Sequence, residues 1–571
     1  MPSVTIDGQT FEFEGRPGLL QFCLDHGLEV PHFCYHPAMS APANCRQCLV
    51  EVGTPEMDRA TRQPRLDDDG NPVIRFFPKL QTSCTMEVTD GMVVKSQRSS
   101  EAVERAQKDN LEMLLINHPL DCPICDQAGH CPLQIQAYKY GPEGSRFEFE
   151  KVNKPKHIPL GPQVMLDGER CINCTRCVRF TSEISESHQL TIIERGVKNY
   201  PMTPPGVSFD EPYSMNVIDI CPVGALTSRD SRFKARIWEM SRTASVTTGG
   251  ANGNNCFYWV KDNQVMKVTP RDNPSVNEYW LPDEERLDYH RFNDNRPAGP
   301  AIGGVNADWN AAYDAAASVL KGVDGARMVF LGSAYATVED NYLLMKLAAS
   351  LGADTPTYVP HVEKGHGDDW LRTDDRTPNT EGCERLQMKA TGSGLAARLD
   401  AGEIDVLYVL EEDPVAAGLA TADQLAKVKV ILHAYNTTNQ TVPVADVCLP
   451  AATVVETVGT FVNQKGHAQR VRPAKAIKGM NRTLMMEVGK SRADLHGTPF
   501  DRWHDESNLV DCQPGWVSLP AVAIRLGHAM DYRGPKYIMR EVADSIDALG
   551  GATYAAMGEQ GVRLEDVGAA V

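Results

Sequence analysis

The spacing of apolar positions changes along the chain, and each change marks an element. Val4-Thr5-Ile6 and Phe11-Glu12-Phe13 alternate on either side of Asp7-Gly8, which predicts a β-hairpin closed by a two-residue turn. Leu19, Leu20, Cys23 and Leu24 recur at helical spacing, and Gly27 supplies a C-terminal stop. Residues 54–78 are rich in Asp, Pro and Arg and read as a surface loop with Asp67-Asp68-Asp69 at a solvated tip; Cys84, Met86 and Val88 then alternate as a strand. Leu111, Leu114 and Leu115 share one face of a helix. From Ser241 to about Arg296 the pattern is turn-rich, with Gly249-Gly250, Asn252 to Asn255, Pro282 and Pro297. From residue 309 onward the apolar runs Met328–Leu331, Val406–Leu410 and Val430-Ile431-Leu432 are of buried-strand type. Helical stretches around 338–350 and 416–427 lie between them, the order of a parallel α/β layer.

A length of 571 residues corresponds to about four domains at roughly 150 residues each. Lys and Arg number 57 against 75 Asp and Glu, a net charge of −18, and no Lys/Arg-rich run relieves it, which argues against nucleic acid as a partner. No run approaches the roughly 18 apolar residues of a membrane-spanning helix. The first residues carry neither a basic region nor an apolar core, so no secretory signal is expected and a reducing, cytoplasmic compartment is. There, clustered cysteines read as metal ligands before disulfides. Of 16 cysteines, 12 precede residue 222 in groups, and the other four (Cys256, Cys383, Cys448, Cys512) stand singly.

Three groups emerge. The first is Cys34, Cys45, Cys48 and Cys84: three thiolates on one long loop and a fourth 36 residues on. This suits a flat [2Fe–2S] cluster whose sulfurs accept hydrogen bonds from a wrapping loop, and the hairpin–helix–loop order fits a ferredoxin-type β-grasp domain. Four thiolates also suit structural zinc, although the long ten-residue spacer is unlike a compact zinc ribbon. Cys23, on the apolar face of its helix, reads as core. The second group is His118, Cys122, Cys125 and Cys131, where a [4Fe–4S] cluster and a Cys₃His zinc site both remain open. An imidazole in place of a thiolate makes a cluster less anionic and raises its potential. His130 is a poorer candidate than His118 because it adjoins Cys131. The third group is the tight run Cys171, Cys174, Cys177, completed 44 residues later by Cys221-Pro222. The run continues into Val178-Arg179-Phe180-Thr181 and lacks the fourth cysteine that two-cluster ferredoxins share, so one [4Fe–4S] cubane is the economical reading.

On these three groups, and on Cys221-Pro222-Val223-Gly224-Ala225-Leu226, the sequence resembles the large iron–sulfur subunit (75 kDa type) of respiratory NADH:quinone oxidoreductase, complex I. Its second half is similar to a degenerate molybdopterin-oxidoreductase domain, on Ala445-Asp446-Val447-Cys448-Leu449-Pro450, Glu456 and Gly459-Thr460-Phe461-Val462-Asn463. The resemblance implies an α+β and α/β multidomain protein. Its expected divisions are a [2Fe–2S] β-grasp domain (1–95), a His/Cys₃ [4Fe–4S] segment (96–150), a ferredoxin-like [4Fe–4S] domain (151–240) and a molybdopterin-oxidoreductase-like domain without evident cofactor (241–571). It further implies an electron-relay subunit of a proton-translocating oxidoreductase. Electrons from a flavin/NADH-binding partner would pass through one [2Fe–2S] and two [4Fe–4S] clusters toward quinone, with no substrate chemistry on this chain. The other peripheral-arm subunits are the expected partners. The expected location is the cytoplasmic face of the inner (plasma) membrane, touched only through them.

Some members carry a further cluster at the start of the second half. Here Gly249 to Pro282 offers only Cys256, and Pro282 stands where the last cysteine would be, so no fourth cluster is expected. About 330 residues follow residue 240, short for an active molybdopterin enzyme, and no molybdenum ligand stands out; Cys256 and Cys383 read as buried structural thiols. The rival readings are a formate dehydrogenase-like or hydrogenase-like enzyme and a structural zinc scaffold. Gly392-Ser393-Gly394 reads as a turn rather than a phosphate loop, and Gly332-Ser333 as a vestige of a ligand-binding crevice.

Overall fold

The computed structural model describes residues 1–58, 61, 63–392, 394–488 and 509–568, in two compact units, Met1–Ile237 and Trp238–Val571. Ser393, and with it part of the Gly392–Gly394 turn, lies outside the described residues.

In the first unit the hairpin forms as the pattern predicts. β1 (Ser3–Ile6) pairs antiparallel with β2 (Gln9–Glu12), and Asp7 and Gly8 both take positive φ (48° and 83°), the conformation a two-residue hairpin turn requires. Helix α1 (Leu19–Asp25) buries Leu19, Leu20, Phe22 and Cys23, and Gly27 at φ 70° ends it. β3 (Leu49–Pro55), β4 (Ile74–Phe76), β5 (Gln81–Thr82) and β6 (Met92–Lys95) complete a sheet of order β2-β1-β6-β3-β4, with β5 on β3. Parallel pairing of β1 with β6 places the first and last strands side by side, as in a β-grasp. The described residues between β3 and β4 (56–58, 61 and 63–73) are mostly exposed. One expectation fails: Cys84 lies not in a strand but in a single 3₁₀ turn, Ser83–Thr85, tied down because Ser83 donates backbone N–H and Oγ to the Cys48 carbonyl. Met86 and Val88 flank a single antiparallel bridge between Glu87 and Gly18, so the alternation reflects that bridge and burial rather than a full strand.

α2 (Glu101–Leu115) is capped by Ser100, whose hydroxyl accepts from Val103 N, and α3 (Pro132–Tyr140) starts at Cys131. Then come β7 (Ile158–Pro159), β8 (Val164–Leu166), α4 (Arg176–Arg179), the hairpin of β9 (Thr191–Ile193) and β10 (Tyr200–Met202), α5 (Asn216–Ile220) and β11 (Leu226–Ser228). β11 pairs with β8, so the segment carrying Cys221 is anchored beside the one that leads into Cys171.

In the second unit, residues 241–296 correct the sequence reading. Ser241–Val246, Asn255–Lys261 and Gln264–Pro270 form a three-stranded antiparallel sheet joined through the predicted turns. Polar residues that point inward mask its alternation: Ser245, Asn254 and Asn255 are fully buried. The α/β layer is present. Met328–Gly332, Val406–Leu410 and Lys429–Ala434 are parallel neighbours in an eight-stranded sheet, and Val338–Ser350 is a helix capped by Thr337. The stretch 416–427 yields only the short helix Ala422–Leu425, closed by a Thr421–Gln424 capping box. No helix among the described residues is long and apolar enough to cross a membrane.

Candidate functional site: three thiol groups in the first unit

The first group folds into two pairs. Cys34 and Cys45 hydrogen-bond to each other, as do Cys48 and Cys84. Within each pair one thiol is held low, Cys34 at about 5 and Cys48 at about 7, by the bond from its partner, and the partner is pushed up. Ala43 (φ 53°) and Arg46 (φ 57°) take the left-handed conformation, unusual for non-glycine residues. These kinks turn the loop back on itself, so that Asn44 and Cys45 donate backbone N–H to the Cys34 sulfur and Gln47 to that of Cys45. Strain of this kind persists where the surroundings fix it, and it clusters at functional sites.

The third group repeats the device. Asn173 (φ 54°) and Thr175 (φ 61°) are left-handed, Asn173 N donates to Cys171 Sγ at 3.4 Å, and Val223, Ala225 and Leu226 offer backbone N–H to Cys221. Cys171, Cys174, Cys177 and Cys221 line one cavity, whose other walls include Ile172, Ile192, Pro201, Val223 and Leu226. Burial pushes Cys171, Cys174 and Cys221 up to about 11, and Cys177 well above its ordinary value. Four neutral thiols in an apolar cavity become thiolates only when a bound cationic centre compensates their charge.

The second group is looser. Cys122 opens a single 3₁₀ turn (Cys122–Ile124) and is exposed, Cys125 follows, and Cys131 is buried at the start of α3. Desolvation raises Cys125, and Cys131 to about 11, each opposed by backbone N–H donors. The Nδ1 of His118 is buried without a hydrogen-bond partner among the described residues. Burial together with Arg170 and Lys151 pushes its pKa down to about 4, so the imidazole is neutral with a nitrogen available. Gly224 packs against Cys125 Sγ so closely that a Cβ there would overlap the sulfur. Cys131 Sγ donates weakly to Pro222 O at 3.7 Å, so the residues after Cys221 run between the second and third groups.

Among the described residues, no set of three or more His, Cys, Asp or Glu is gathered tightly enough for one metal ion. A tetrahedral zinc with bonds of about 2.3 Å would draw its sulfurs to roughly 3.8 Å from one another. The remaining thiols are remote from chemistry. Burial raises Cys23 and Cys256 to about 12 and Cys448 to about 11; Cys383 and Cys512 also rise. Gly332 packs against Met388 and Asn341, and Ser333 donates to Glu412 at 2.9 Å, so the protein's own side chains occupy the neighbourhood of that strand end.

Sequence reasoning missed the arginines around the candidate ligands. Arg170 is 2% exposed, pairs with Asp121 (2.8 Å) and Asp167 (3.4 Å), and reaches the Gly224 carbonyl. Arg176 and Arg179 project from the third-group helix to the first-group loop. Arg176 donates to Ile220 O at 3.0 Å and to Tyr35 O; Arg179 donates to Cys34 O and Ser40 O. The signal lay inside Cys174-Thr175-Arg176-Cys177-Val178-Arg179, where two arginines interleave with ligands.

Comparison with known proteins finds family matches along both units. A 2Fe–2S iron–sulfur cluster binding domain matches residues 2–99, an NADH-ubiquinone oxidoreductase-G iron–sulfur binding region 107–146, and the ferredoxin-like domain of NADH-quinone oxidoreductase subunit 3 residues 161–227. An NDSU1/NuoG-like 4Fe–4S domain matches 240–290 and a molybdopterin oxidoreductase domain 383–485. The G-type subunit of the Rickettsia conorii NADH-quinone oxidoreductase is 36% identical over 62% of this chain and 50% of its own length. Subunit 3 of the Thermus thermophilus NADH-quinone oxidoreductase is 35% identical over 64% and 47%. The Reclinomonas americana NADH-ubiquinone oxidoreductase 75 kDa subunit is 39% identical over 53% and 40%. The matched part thus spans about half the length of these curated relatives, or less. A chain of an NAD⁺-reducing [NiFe]-hydrogenase aligns over 41% of this chain at 26% identity with a TM-score of 0.33, too low to bear on the fold.

Proposed function

We propose that the chain is a member of the family of the large iron–sulfur subunits of NADH-quinone oxidoreductase, which its matched residues resemble, and that it is an electron-relay subunit of such a complex. It accepts electrons from a flavin/NADH-binding partner and passes them toward quinone. Its own contribution is to hold one [2Fe–2S] cluster on Cys34, Cys45, Cys48 and Cys84, and one [4Fe–4S] cluster on each of His118/Cys122/Cys125/Cys131 and Cys171/Cys174/Cys177/Cys221. When bound, such clusters supply one-electron storage without bond-making on substrate. The reading follows the domain division 1–95, 96–150, 151–240 and 241–571. In this reading the last part carries no fourth cluster, since Cys256 is the sole cysteine within the 240–290 match, and no molybdopterin is expected there.

The observation that carries the proposal is the gathering of Cys171, Cys174, Cys177 and Cys221 around one apolar-walled cavity, from segments 44 residues apart. Two further features fit. The 34/45 and 48/84 pairing suits a two-iron cluster in which each iron takes two thiolates, and the unpartnered, neutral His118 nitrogen suits a ligand. In each case the protein positions sulfur and donates backbone N–H to it, and around the third group it also keeps water away, the levers by which a protein sets a cluster's potential. Peripheral attachment to the membrane through partner subunits completes the reading.

Electron paramagnetic resonance of the anaerobic, dithionite-reduced full chain tests it. One [2Fe–2S] and two [4Fe–4S] signals are expected. A colourless, silent protein containing zinc would replace the relay by a zinc scaffold.

A further inference from the structure

A buried charge is tolerated where an opposite charge pairs it, because an ion left alone in a low-dielectric interior is costly. Arg176 and Arg179 break that pattern. Arg179 is 8% exposed; Arg176 is largely buried, and its Nε is wholly shielded and has no hydrogen-bond acceptor. Among the described residues neither guanidinium has a carboxylate within 4.0 Å. The nearby Glu183 is occupied by Ser40, accepting from its N at 2.8 Å and its Oγ at 2.6 Å. Every acceptor the two arginines use is neutral: the carbonyls of Cys34, Tyr35, Ser40 and Ile220, and the Thr175 hydroxyl. An arginine cannot escape by losing its proton.

Arg176 lines the same cavity as Cys171, Cys174, Cys177 and Cys221. Arg176 interacts electrostatically with Cys174 and Cys221 of the third group and with Cys34 of the first; Arg179 acts on Cys34 and on Cys174. Both bridge the two all-cysteine groups: Arg176 bonds to the peptides of Tyr35 and Ile220, and Arg179 to those of Cys34 and Ser40 and to the Thr175 hydroxyl. By contrast Arg170, beside the His118 group, is matched by Asp121 and Asp167. Lys151, also beside that group, donates to the Leu115 and Ile116 carbonyls and stands at the end of α2 rather than between two groups.

We propose that Arg176 and Arg179 are the built-in counter-cations of the first and third clusters. They are positioning residues that hold the two ligand loops together and raise the reduction potential of both centres. This rests on the ligand assignment above. A centre held by four thiolates is an anion that gains one negative charge with each electron, so a fixed positive charge between two such centres favours the reduced form of either. An electron passing from one to the other breaks no bond and moves no proton, and the shared cations stay put throughout.

The test is a potentiometric titration followed by electron paramagnetic resonance on the anaerobic full chain, with iron and sulfide measured alongside. Arg176→Gln removes the charge and leaves an amide able to donate; Arg176→Lys keeps the charge. In Arg176→Gln the reduction equilibria of the [2Fe–2S] and third-group centres should each fall at least tenfold, about 59 mV for one electron. The His118-group centre should hold its potential, and Arg176→Lys should recover most of the loss. Unchanged potentials in Arg176→Gln, or a lysine variant that behaves like the glutamine one, would overturn the proposal. If Arg176→Gln sheds iron, Arg179→Gln decides by the same criterion. Iron loss in both, not rescued by lysine, would make the arginines purely structural ties and would also overturn it. Absence of the two signals from the unmutated chain would instead refute the ligand assignment.

Discussion

Gly224→Ala probes the second ligand group without touching a ligand. Gly224 lies outside the left-handed region, so alanine takes its backbone without strain and any effect is steric. The added Cβ would stand 3.1 Å from Gln127 Cβ and closer still to Cys125 Sγ, well inside the roughly 3.5–4.0 Å of ordinary carbon contact. Relief requires the sulfur to move by more than about 1 Å, several times the roughly 0.2 Å latitude of a metal–ligand distance. Overpacking of this kind costs about 1–3 kcal/mol, which corresponds to about a 5- to 150-fold weaker hold on the second cluster. The assay is iron and sulfide content per chain after anaerobic purification and a desalting step, with electron paramagnetic resonance on the same sample. We expect iron to fall by about four atoms, with the signals of the other two centres intact. Full iron content and an unchanged second [4Fe–4S] signal would refute the placement of Cys125 beside Gly224 in the ligand set.

Other outcomes follow from the same geometry. His118→Cys should keep a cubane but lower its potential, because a thiolate adds a negative charge where the neutral imidazole stood; an unchanged potential in a redox titration would remove His118 from the ligand set. Cys221→Ala should abolish the third-group signal and spare the other two, and loss of the [2Fe–2S] signal in its place would show the groups to be wrongly partitioned. In the second unit, burial raises Glu285 from its ordinary 4.5 to about 7, against hydrogen bonds from Thr247 and Asn254. Below pH 4.5 both folded and unfolded states hold the proton and the group costs nothing. Between 4.5 and about 7 the unfolded state releases it first, so stability falls as pH rises, and above that the cost stays at about 3 kcal/mol. Glu285→Gln should therefore stabilise the protein at about pH 8 and not at about pH 4 in denaturant titrations; an equal gain at both would contradict the burial argument.

The cysteine spacings make most of the candidate site legible because cluster ligation constrains a chain locally: a C-x2-C-x2-C run must turn tightly whatever surrounds it. Local signals also determine the Asp7-Gly8 hairpin and the Leu19–Asp25 helix, where turn chemistry and apolar spacing agree with the tertiary packing. Three features escape for the same reason: their meaning is non-local. The 241–270 strands bury asparagine and serine within hydrogen-bond networks, such as Asn255 held between Gln469 and Asn277, so polar residues mimic a loop. Arg176 and Arg179 look like ordinary solvated arginines in the sequence, and their burial arises only when the Cys34 loop folds over them. Cys84 reads as a strand residue and stands in a 3₁₀ turn, since that turn depends on the Cys48 carbonyl, 35 residues from Ser83.

Metal content per anaerobically purified chain decides whether the first unit holds three iron–sulfur centres. About 10 iron atoms with no zinc and no molybdenum are expected. About 6 iron with one zinc would make the His118 group a structural zinc site and break the series, and molybdenum near one per chain would return catalysis to the second unit.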